Sequence, residues 1–405
     1  MQRIVIVGGG VGGTMLANLL VVRLYPEILG GEVRVLLISD SPDHYYKPAF
    51  MYVAFEQFFL EDLKRPQRSL LRPEVIFQLD RVDRFDFPRQ ELQTRSGRRH
   101  GYDYLVIATG CVPAPERIEG LKEAGDHFYQ YQPARRLAER LASLESGRVF
   151  ITVSFPRTPN VPRQCGIAPV ETTLMLDDYL RRRGVRERVE IVYTYPTTAQ
   201  LLRNCLFLQR PTCEILPSLF EQRGIRFQRG FTLARVDPER RIAYSEEGDE
   251  QPFDLLMATP PIHAVDAVRE CGLSQAAADE GWLPTNHETL QVYGVDRVYT
   301  LGDTVDLPVS KAGGACHNQA PVVASNIAAE IRLGKPCAIY DGRVQAVAQM
   351  GLNAGMPLWY DYRHDVKPTP PTNLGGLLRQ GFNRGLYWAV ARGMLWPRTG
   401  RSRHG

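Results

Sequence analysis

Short apolar runs alternate with amphipathic stretches along most of this chain. The runs at residues 3–7 and 33–38 predict buried parallel strands, because strands that are covered on both faces are apolar throughout. A helix from about Gly12 separates them, and the later run YDYLVIATG predicts another strand. This order of elements is typical of the first half of an α/β dinucleotide-binding domain.

A second series of the same kind follows. Its elements are a helix at 133–145, a strand at 148–155, a helix at 169–183 and a strand at 188–194. Further on, RVYTLGD predicts a strand and PVVASNIAAEIRLG a helix with Val323, Ile327 and Ile331 on one apolar face. This late segment has too few strands to fold alone, so we expect it to return to the first domain.

The sequence therefore predicts an α/β fold of two Rossmann-like dinucleotide-binding domains followed by a C-terminal tail. The first domain is expected to be discontinuous, with residues 1–113 and 285–345, and the second to span 114–284. The tail, 346–405, is rich in Pro, Gly and aromatic residues, and its last part predicts one or two short helices.

Apolar and basic residues are interleaved in these tail helices. The apolar set, broadly on one side, is Leu374, Leu377, Leu378, Phe382 and Trp388, with Trp396 beyond, and the basic set is Arg379, Arg384, Arg392 and Arg398. Such a mixture predicts amphipathic helices that lie in a membrane interface. Contact with a second copy of the chain, giving a homo-oligomer, is the alternative.

Composition narrows the classes of function. At 405 residues the chain is long enough for two or three domains, and its net charge of +4 with no basic stripe argues against nucleic-acid binding. No apolar run reaches bilayer length, and the first strand begins at Arg3, which leaves no room for a signal peptide. We expect a peripheral membrane protein on the cytoplasmic face. The seven cysteines are unevenly spaced and predict no metal site.

A glycine motif stands between the first strand and the first helix. Gly8, Gly10 and Gly13 fit G-x-G-x-x-G, which permits a tight turn, close approach of a pyrophosphate and close packing of helix on strand. The helix start then offers free N–H groups to phosphate. The ribose contact is expected at Ser39 or Asp40, at the end of the second strand. A purely structural glycine turn is the alternative.

Two later motifs indicate which dinucleotide binds. Thr109 and Gly110 follow one strand in an ATG turn, and Gly302 and Asp303 follow another in a GD turn. This pattern resembles the two-domain flavin disulfide reductases, in which the Asp holds the ribityl chain of FAD. The cofactor predicted is therefore FAD, although Asp303 as a plain turn residue is the alternative. Lys311 is expected to place a positive charge near the flavin.

The second domain lacks the corresponding marks of a nicotinamide site. Its strand RVFITVSF runs into PRTPNVPRQCG, which has no glycine triplet. Cys165 in that turn precedes a helix, where a thiol can have a lowered pKa, and Glu171 lies one turn further on. We interpret Cys165 as a redox thiol and Glu171 as a candidate acid or base. A small buried cysteine and a plain helix-start carboxylate are the alternatives.

Cys316 precedes the predicted late helix, and its place suggests a redox partner for Cys165. A thiol that is merely packed at the helix start is the alternative.

The chain resembles sulfide:quinone oxidoreductases and the flavocytochrome c sulfide dehydrogenase flavoproteins. The resemblance rests on VIVGGGVGG, LLISDSPDHYYKPAF, YDYLVIATG, QCGIAPVE, YTLGDTVDLPVSKAG and the tail. It implies two Rossmann domains, FAD, peripheral membrane attachment and electron transfer from sulfide to quinone. It also implies that Pro48 lies near the flavin. Of the family's redox cysteines, Cys165 alone is matched well.

The function expected is thus oxidation of sulfide, or a related sulfur compound, through a cysteine persulfide or disulfide, with FAD passing electrons to a membrane quinone. A type II NADH:quinone oxidoreductase is one alternative, against which the missing second glycine motif counts. An FAD-bearing but catalytically weak subunit, or a sulfur-binding partner in a larger complex, is the other.

Overall fold

The computed structural model describes residues 1–154, 165–196, 217–273, 280–364, 369–394 and 401–402. The proline-rich turn that precedes Cys165 lies outside the described residues. The mixed α/β class expected from the sequence is confirmed.

The first sheet contains five parallel strands and carries the glycine motif at its centre. Its order is Val298–Thr300, Tyr104–Ile107, Gln2–Val7, Val33–Ser39 and Ile76–Leu79. The central strands are buried on both faces, which explains their uninterrupted apolar sequence. The late strand Val298–Thr300 joins this sheet beside Tyr104–Ile107, as a discontinuous first domain requires. The domain limits themselves stay a prediction.

Two helices pack against each other over this sheet. The first helix, Val11–Arg23, begins directly after the glycine turn (residues 8–13), and the long helix, Gly313–Leu333, ends at Gly334 in a left-handed conformation. Val323 and Ile327 are fully buried and Ile331 is half-buried, as their spacing predicts. The long helix begins earlier than expected, because it continues through Pro321 rather than starting there.

The second sheet repeats this plan with five parallel strands. Its order is Gly125–Asp126, Leu255–Thr259, Gly147–Val153, Val189–Tyr195 and Arg226–Arg229. The cysteine helix, Ile167–Arg182, packs on it. For the two strands and two helices that the sequence predicts here, predicted and observed limits differ by at most two residues. The strands Gly125–Asp126, Leu255–Thr259 and Arg226–Arg229 were not predicted.

Each sheet carries a three-stranded antiparallel ribbon before one of its central strands, which the sequence analysis did not predict. The ribbons are Val82–Asp86, Glu91–Thr94 and Arg99–Gly101 in the first half, and Leu233–Asp237, Ile242–Ser245 and Glu250–Pro252 in the second. Their short strands are buried at only some positions, so they lack the apolar runs of the central strands.

The remaining elements are short. Further strand pairs are Asp43–Tyr45 with Lys64–Pro66, Cys111–Pro113 with Ile262–Ala264, Leu283–Pro284 with Val305–Asp306, Ala338–Ile339 with Arg401–Ser402, and the hairpin Val344–Gln349 with Gly355–Tyr360. Further α-helices are Tyr25–Leu29, Phe50–Val53, Gln67–Leu70, Leu121–Ala124, Tyr131–Ser143 and Asp266–Arg269. The 3-10 turns are Lys47–Ala49, Leu60–Asp62, Pro115–Arg117, Arg186–Arg188 and Gly302–Thr304.

The tail forms the two short helices expected, Asn373–Gly381 and Tyr387–Ala391, joined by a π-helical turn, Phe382–Leu386. Their side chains divide differently from the prediction. Trp388 is buried under Arg65, whose guanidinium lies 4.7 Å from the indole centroid, and Arg379 also points inward. Trp396 and Arg398 lie outside the described residues.

Candidate functional site

The glycine turn has the shape of a phosphate cradle. Gly8 has φ +109°, and an added Cβ there would lie 2.3 Å from the carbonyl oxygen of Ala108. A Cβ on Gly13 would lie 2.0 Å from the carbonyl oxygen of Gly8. At Gly10, by contrast, an added Cβ would meet no described atom within 4 Å. The turn is therefore packed on its inner side and open at Gly10, where the first helix begins without a side-chain cap.

The end of the second strand places the two ribose candidates differently. Ser39 is buried against the turn, since its Oγ lies 2.7 Å from where a Cβ on Gly9 would stand. Asp40 is exposed. Both residues stay candidates for the ribose contact.

The ATG and GD turns meet at one edge of the first sheet, because they follow neighbouring parallel strands. The amide of Gly110 donates to Thr304 Oγ1 at 2.9 Å, and the hydroxyls of Thr109 and Thr304 lie 3.4 Å apart. The thiol of Cys111 donates to Asp303 Oδ2 at 3.3 Å. Thr304 thus joins two motifs that are almost 200 residues apart, and the sequence analysis did not single it out.

Lys311 holds the GD turn from the other side. Its ammonium donates to the carbonyl oxygens of Asp303 at 2.5 Å and of Val305 at 2.8 Å, and it lies 3.7 Å from the ring centroid of Trp282. Its charge is therefore beside Asp303, as expected for a residue near the cofactor. Any contact with the flavin stays a prediction.

Pro48 lies against the start of the long helix. A Cβ on Gly313 would stand 3.0 Å from Pro48 Cγ, and one on Gly314 would stand 2.2 Å from the carbonyl oxygen of Gln345. The helix start is thus wedged between the Lys47–Ala49 turn and the hairpin strand Val344–Gln349.

Cys165 lies directly before the cysteine helix, as predicted. The backbone N–H groups of Ile167 and Ala168 and the hydroxyl of Ser310 favour its thiolate. Burial, however, is the larger influence and raises the pKa of the Cys165 thiol, and the charge of Glu171 raises it further. The lowered pKa that the helix start suggested is therefore wrong for this thiol in the described structure, because burial outweighs the helix N–H groups.

Glu171 is a buried carboxylate and not an exposed residue of the helix start. It is 4% exposed, and one of its oxygens accepts the backbone N–H of Gln349 at 2.6 Å. Burial raises the pKa of Glu171, and the guanidinium of Arg379 partly opposes that effect. A buried carboxyl beside a cysteine can accept or return a proton.

Arg379 is a residue of this site that the sequence analysis placed on the membrane helix instead. It donates from Nε to the hydroxyl of Tyr52 at 3.2 Å, and Tyr52 in turn donates to Gln349 Oε1 at 3.1 Å. The tail therefore brings a positive charge to the carboxylate of Glu171. The signal in the sequence was weak, because an arginine among leucines is equally typical of an interfacial helix.

Cys316 is buried in the first turn of the long helix, and not before the helix as expected. Its Sγ lies 3.1 Å from where a Cβ on Gly302 would stand, and its Cβ 3.8 Å from where one on Gly12 would stand. Burial raises the pKa of this thiol well above its ordinary value.

The five described cysteines are free thiols, including Cys165 and Cys316. Cys316 neighbours the GD turn and the first helix, whereas Cys165 neighbours Ser310 and Glu171. Their pairing stays a prediction.

Known proteins resemble this chain in sequence and in fold. Residues 2–152 match the family described as pyridine nucleotide-disulphide oxidoreductase. The chain is 28% identical over 335 residues to a mitochondrial sulfide:quinone oxidoreductase of Dictyostelium discoideum. The aligned region covers 81% of this chain and 70% of that relative. It is 25% identical over 411 residues to that of Mus musculus, which covers 97% and 87%.

Among solved structures, the sulfide:quinone oxidoreductase from Aquifex aeolicus superimposes with a TM-score of 0.83 at 22% identity, over 98% of this chain and 93% of that one. The NDH2 from Plasmodium falciparum superimposes with a TM-score of 0.70 at 12% identity, over 98% and 99%. These two structures share the fold of this chain.

Proposed function

We propose that this chain, which belongs with the sulfide:quinone oxidoreductases, is an FAD enzyme that oxidises sulfide or a related sulfur compound and passes the electrons to a quinone. The similarity extends over nearly the whole chain of the relatives from Mus musculus and Aquifex aeolicus. One structural observation supports it most directly. The open glycine turn, the joined ATG and GD turns and Cys316 lie at one edge of the first sheet, and Cys165 neighbours Ser310, which follows the GD turn along the chain.

The residues of this edge fit FAD. Gly8, Gly10 and Gly13 would hold the pyrophosphate, with Ser39 or Asp40 at the ribose. Thr109, Gly110, Gly302 and Asp303, fixed by Lys311, would hold the ribityl chain, and Pro48 would lie near the ring. FAD would supply an acceptor that takes two electrons and can pass them on to a quinone.

Cys165 would be the thiol that receives the sulfur. In the two-cysteine scheme, hydrosulfide attacks Cys165 Sγ of a Cys165–Cys316 disulfide, the S–S bond breaks, and Cys316 leaves as a thiolate while Cys165 becomes a persulfide. A second hydrosulfide would then remove the outer sulfur of Cys165 as disulfane, HSSH, which leaves two thiols. Their oxidation back to the disulfide would release two electrons and two protons, and FAD would be the acceptor of the electrons. In the alternative scheme, Cys165 acts without Cys316, whose position against Gly12 and Gly302 is that of a packed thiol.

Glu171 would handle the proton that accompanies this chemistry. Its carboxyl influences the pKa of Cys165, and Arg379 and the Gln349 N–H stabilise its ionised form. Arg379 would act on the reaction through Glu171, so it is a positioning residue and not a catalytic one.

The tail would attach the protein to the membrane surface that carries the quinone. Leu374, Leu377 and Leu378 are 65%, 68% and 59% exposed on one helix face, and Leu386 and Phe59 are also exposed. An exposed row of leucines on a short helix suits shallow insertion between lipid headgroups. Within the described ranges, none of the helices is long and apolar enough to cross a membrane. We propose peripheral attachment on the cytoplasmic face.

The cysteine chemistry is tested by adding sulfide anaerobically to the protein with bound FAD. Reduction of the flavin is measured as the loss of its visible absorbance. Cys165→Ser is expected to abolish this reduction, and Cys337→Ser, a half-buried thiol that lies 4.0 Å from the carbonyl oxygen of Ser325, serves as the control. Normal reduction in Cys165→Ser would rule out the proposed thiol. Cys316→Ser separates the two schemes. The disulfide scheme predicts that this variant has no turnover, and the scheme without Cys316 predicts that turnover continues.

A further inference from the structure

A buried polar path joins the tail to the glycine turn. Tyr387, in the second tail helix, is fully buried, and its hydroxyl lies 2.5 Å from Nε2 of His44. The other ring nitrogen of His44, Nδ1, lies 2.9 Å from the carbonyl oxygen of Gly9. A single histidine thus connects the C-terminal tail with the peptide that precedes Gly10.

The chemistry of the partners fixes the direction of these bonds. The carbonyl oxygen of Gly9 can only accept, so Nδ1 of His44 carries the hydrogen and donates it. Nε2 is then the acceptor and receives the hydroxyl hydrogen of Tyr387. This arrangement requires a neutral ring, and burial lowers the pKa of His44 to about 4.

Thr14 supports the same carbonyl from the first helix. Its hydroxyl donates to the Gly9 oxygen at 3.0 Å and accepts the amide of Gln67 at 2.8 Å. The Gly9 carbonyl therefore has two donors, one of which depends on the tail.

A second contact ties the tail to the first helix one turn later. The side-chain amide of Asn18 donates to the carbonyl oxygens of Ala391 at 3.0 Å and of Leu70 at 2.9 Å, and its oxygen accepts the N–H of Arg72 at 2.8 Å. Asn18 is fully buried, and its bond to Ala391 is made or lost as the tail docks or leaves, whereas its bonds to Leu70 and Arg72 do not involve the tail.

Buried polar contacts in an apolar interface specify one arrangement more than they add stability. Here both contacts end on the turn and helix that would bind the pyrophosphate. We propose that Tyr387 and His44 are positioning residues of the cofactor site, through which the docked tail holds the glycine turn in its phosphate-binding conformation. FAD binding and tail docking are then coupled, and by linkage each strengthens the other.

The inference rests on the glycine turn as the FAD pyrophosphate site, which is part of the proposed function, but not on sulfide as the donor. Its test is therefore the release of FAD when the purified holoenzyme is diluted. The fluorescence of the free cofactor measures the rate of this release. Tyr387→Phe removes one hydroxyl and is expected to raise the FAD dissociation constant, through faster release, on the order of tenfold, which corresponds to the loss of about one hydrogen bond.

Tyr46→Phe is the matched control. Tyr46 is equally buried and stacks on Tyr387 with ring centroids 3.8 Å apart, but its hydroxyl bonds to Asn383 Oδ1 at 3.2 Å and not to His44. A merely structural role predicts lower melting temperatures for both variants with equal FAD release. Coupling between the tail and the glycine turn predicts faster FAD release in Tyr387→Phe than in Tyr46→Phe. Equal FAD release in the two variants would overturn the coupling.

A measurement on the unaltered holoenzyme covers the case in which a variant does not fold. After FAD is removed from part of the preparation, amide hydrogen exchange across Tyr387–Ala391 is expected to be faster in the FAD-free protein than in the holoenzyme, and equal exchange in the two overturns the inference. Gly10→Ala distinguishes the two levels. Normal FAD release in Gly10→Ala would show that the glycine turn is not the FAD site. Fast release in Gly10→Ala together with normal release in Tyr387→Phe would keep the glycine turn as the site and overturn only its coupling to the tail.

Discussion

At the scale of single residues, Cys165 experiences opposing influences. The helix start offers it two backbone N–H groups and Ser310 a hydroxyl, whereas burial and the carboxylate of Glu171 raise its pKa. The sequence shows the first influence, because it follows from local order along the chain. It does not show the second, because burial and the approach of charges depend on the assembled fold.

Replacing Glu171 isolates the electrostatic part of this balance. Glu171→Gln removes the negative charge beside Cys165, so the pKa of the thiol is expected to fall. The alkylation rate of Cys165 by iodoacetamide follows its thiolate fraction, and its half-maximal pH should move down. Mass spectrometry of the Cys165 peptide measures this rate, with Glu187→Gln as an exposed control. An unchanged profile would contradict the assigned proximity.

Thr304 is a second residue of the site, and it joins the ATG turn to the GD turn. It is fully buried, and its hydroxyl accepts the Gly110 amide and lies 3.4 Å from the hydroxyl of Thr109. Thr304→Val leaves the partly buried amide of Gly110 without this acceptor, which should lower the free energy of unfolding by about 1 kcal/mol.

Urea denaturation of the holoenzyme measures the effect of Thr304→Val. Thr304→Ser keeps the hydroxyl and is expected to recover most of the stability. A serine variant as unstable as the valine variant would show that the methyl group, and not the hydrogen bond, carries the effect.

At the scale of elements, the apolar runs predict four elements of the second half, the helices at 133–145 and 169–183 and the strands at 148–155 and 188–194, to within two residues. They do not predict the central strand Leu255–Thr259. The same reasoning misses the antiparallel ribbons, whose short strands are only half-buried, and begins the long helix too late, because Pro321 resembles a helix start. The second error matters, since it moves Cys316 from a loop into a packed helix turn.

The glycine turn offers a test at this scale that separates folding from cofactor binding. Gly13→Ala puts a methyl group 2.0 Å from a backbone oxygen, so it is expected to destabilise the fold by several kcal/mol. Gly10→Ala meets open space and should leave the fold intact while it weakens FAD binding at least tenfold, because its methyl group stands where a phosphate would lie.

Calorimetry of the two glycine variants, together with the ratio of flavin to protein after gel filtration, makes this comparison. A Gly10→Ala protein that keeps its full complement of FAD would argue that the turn is only structural.

At the scale of the whole molecule, the two halves share one plan and differ at one turn. Each has five parallel strands with a ribbon inserted before a central strand. After the middle strand of the first sheet the sequence continues into the glycine turn, and after the middle strand of the second sheet it continues towards Cys165. The inward side chains of the tail could not be predicted, because Arg379, Asn383 and Tyr387 meet partners more than 300 residues earlier.

The exposed face of the tail predicts the mode of membrane attachment. Replacing Leu374, Leu377 and Leu378 together by serine should weaken binding to phospholipid vesicles at least tenfold, since each inserted leucine contributes about 1.5–3 kcal/mol. Flavin reduction by sulfide in solution should be unchanged. Vesicle sedimentation measures the binding, and Leu333→Ser, 70% exposed at the end of the long helix, is the control. Equal sedimentation of all three proteins would contradict attachment through this face.

The identity of the electron donor is the central claim, and it follows from the difference between the two halves. The purified protein with bound FAD is mixed anaerobically with sulfide in one cuvette and with NADH in another, and the visible absorbance of the flavin is followed. We predict bleaching by sulfide, recovery of the absorbance when a quinone is added, and no bleaching by NADH. Bleaching by NADH and not by sulfide would contradict the account.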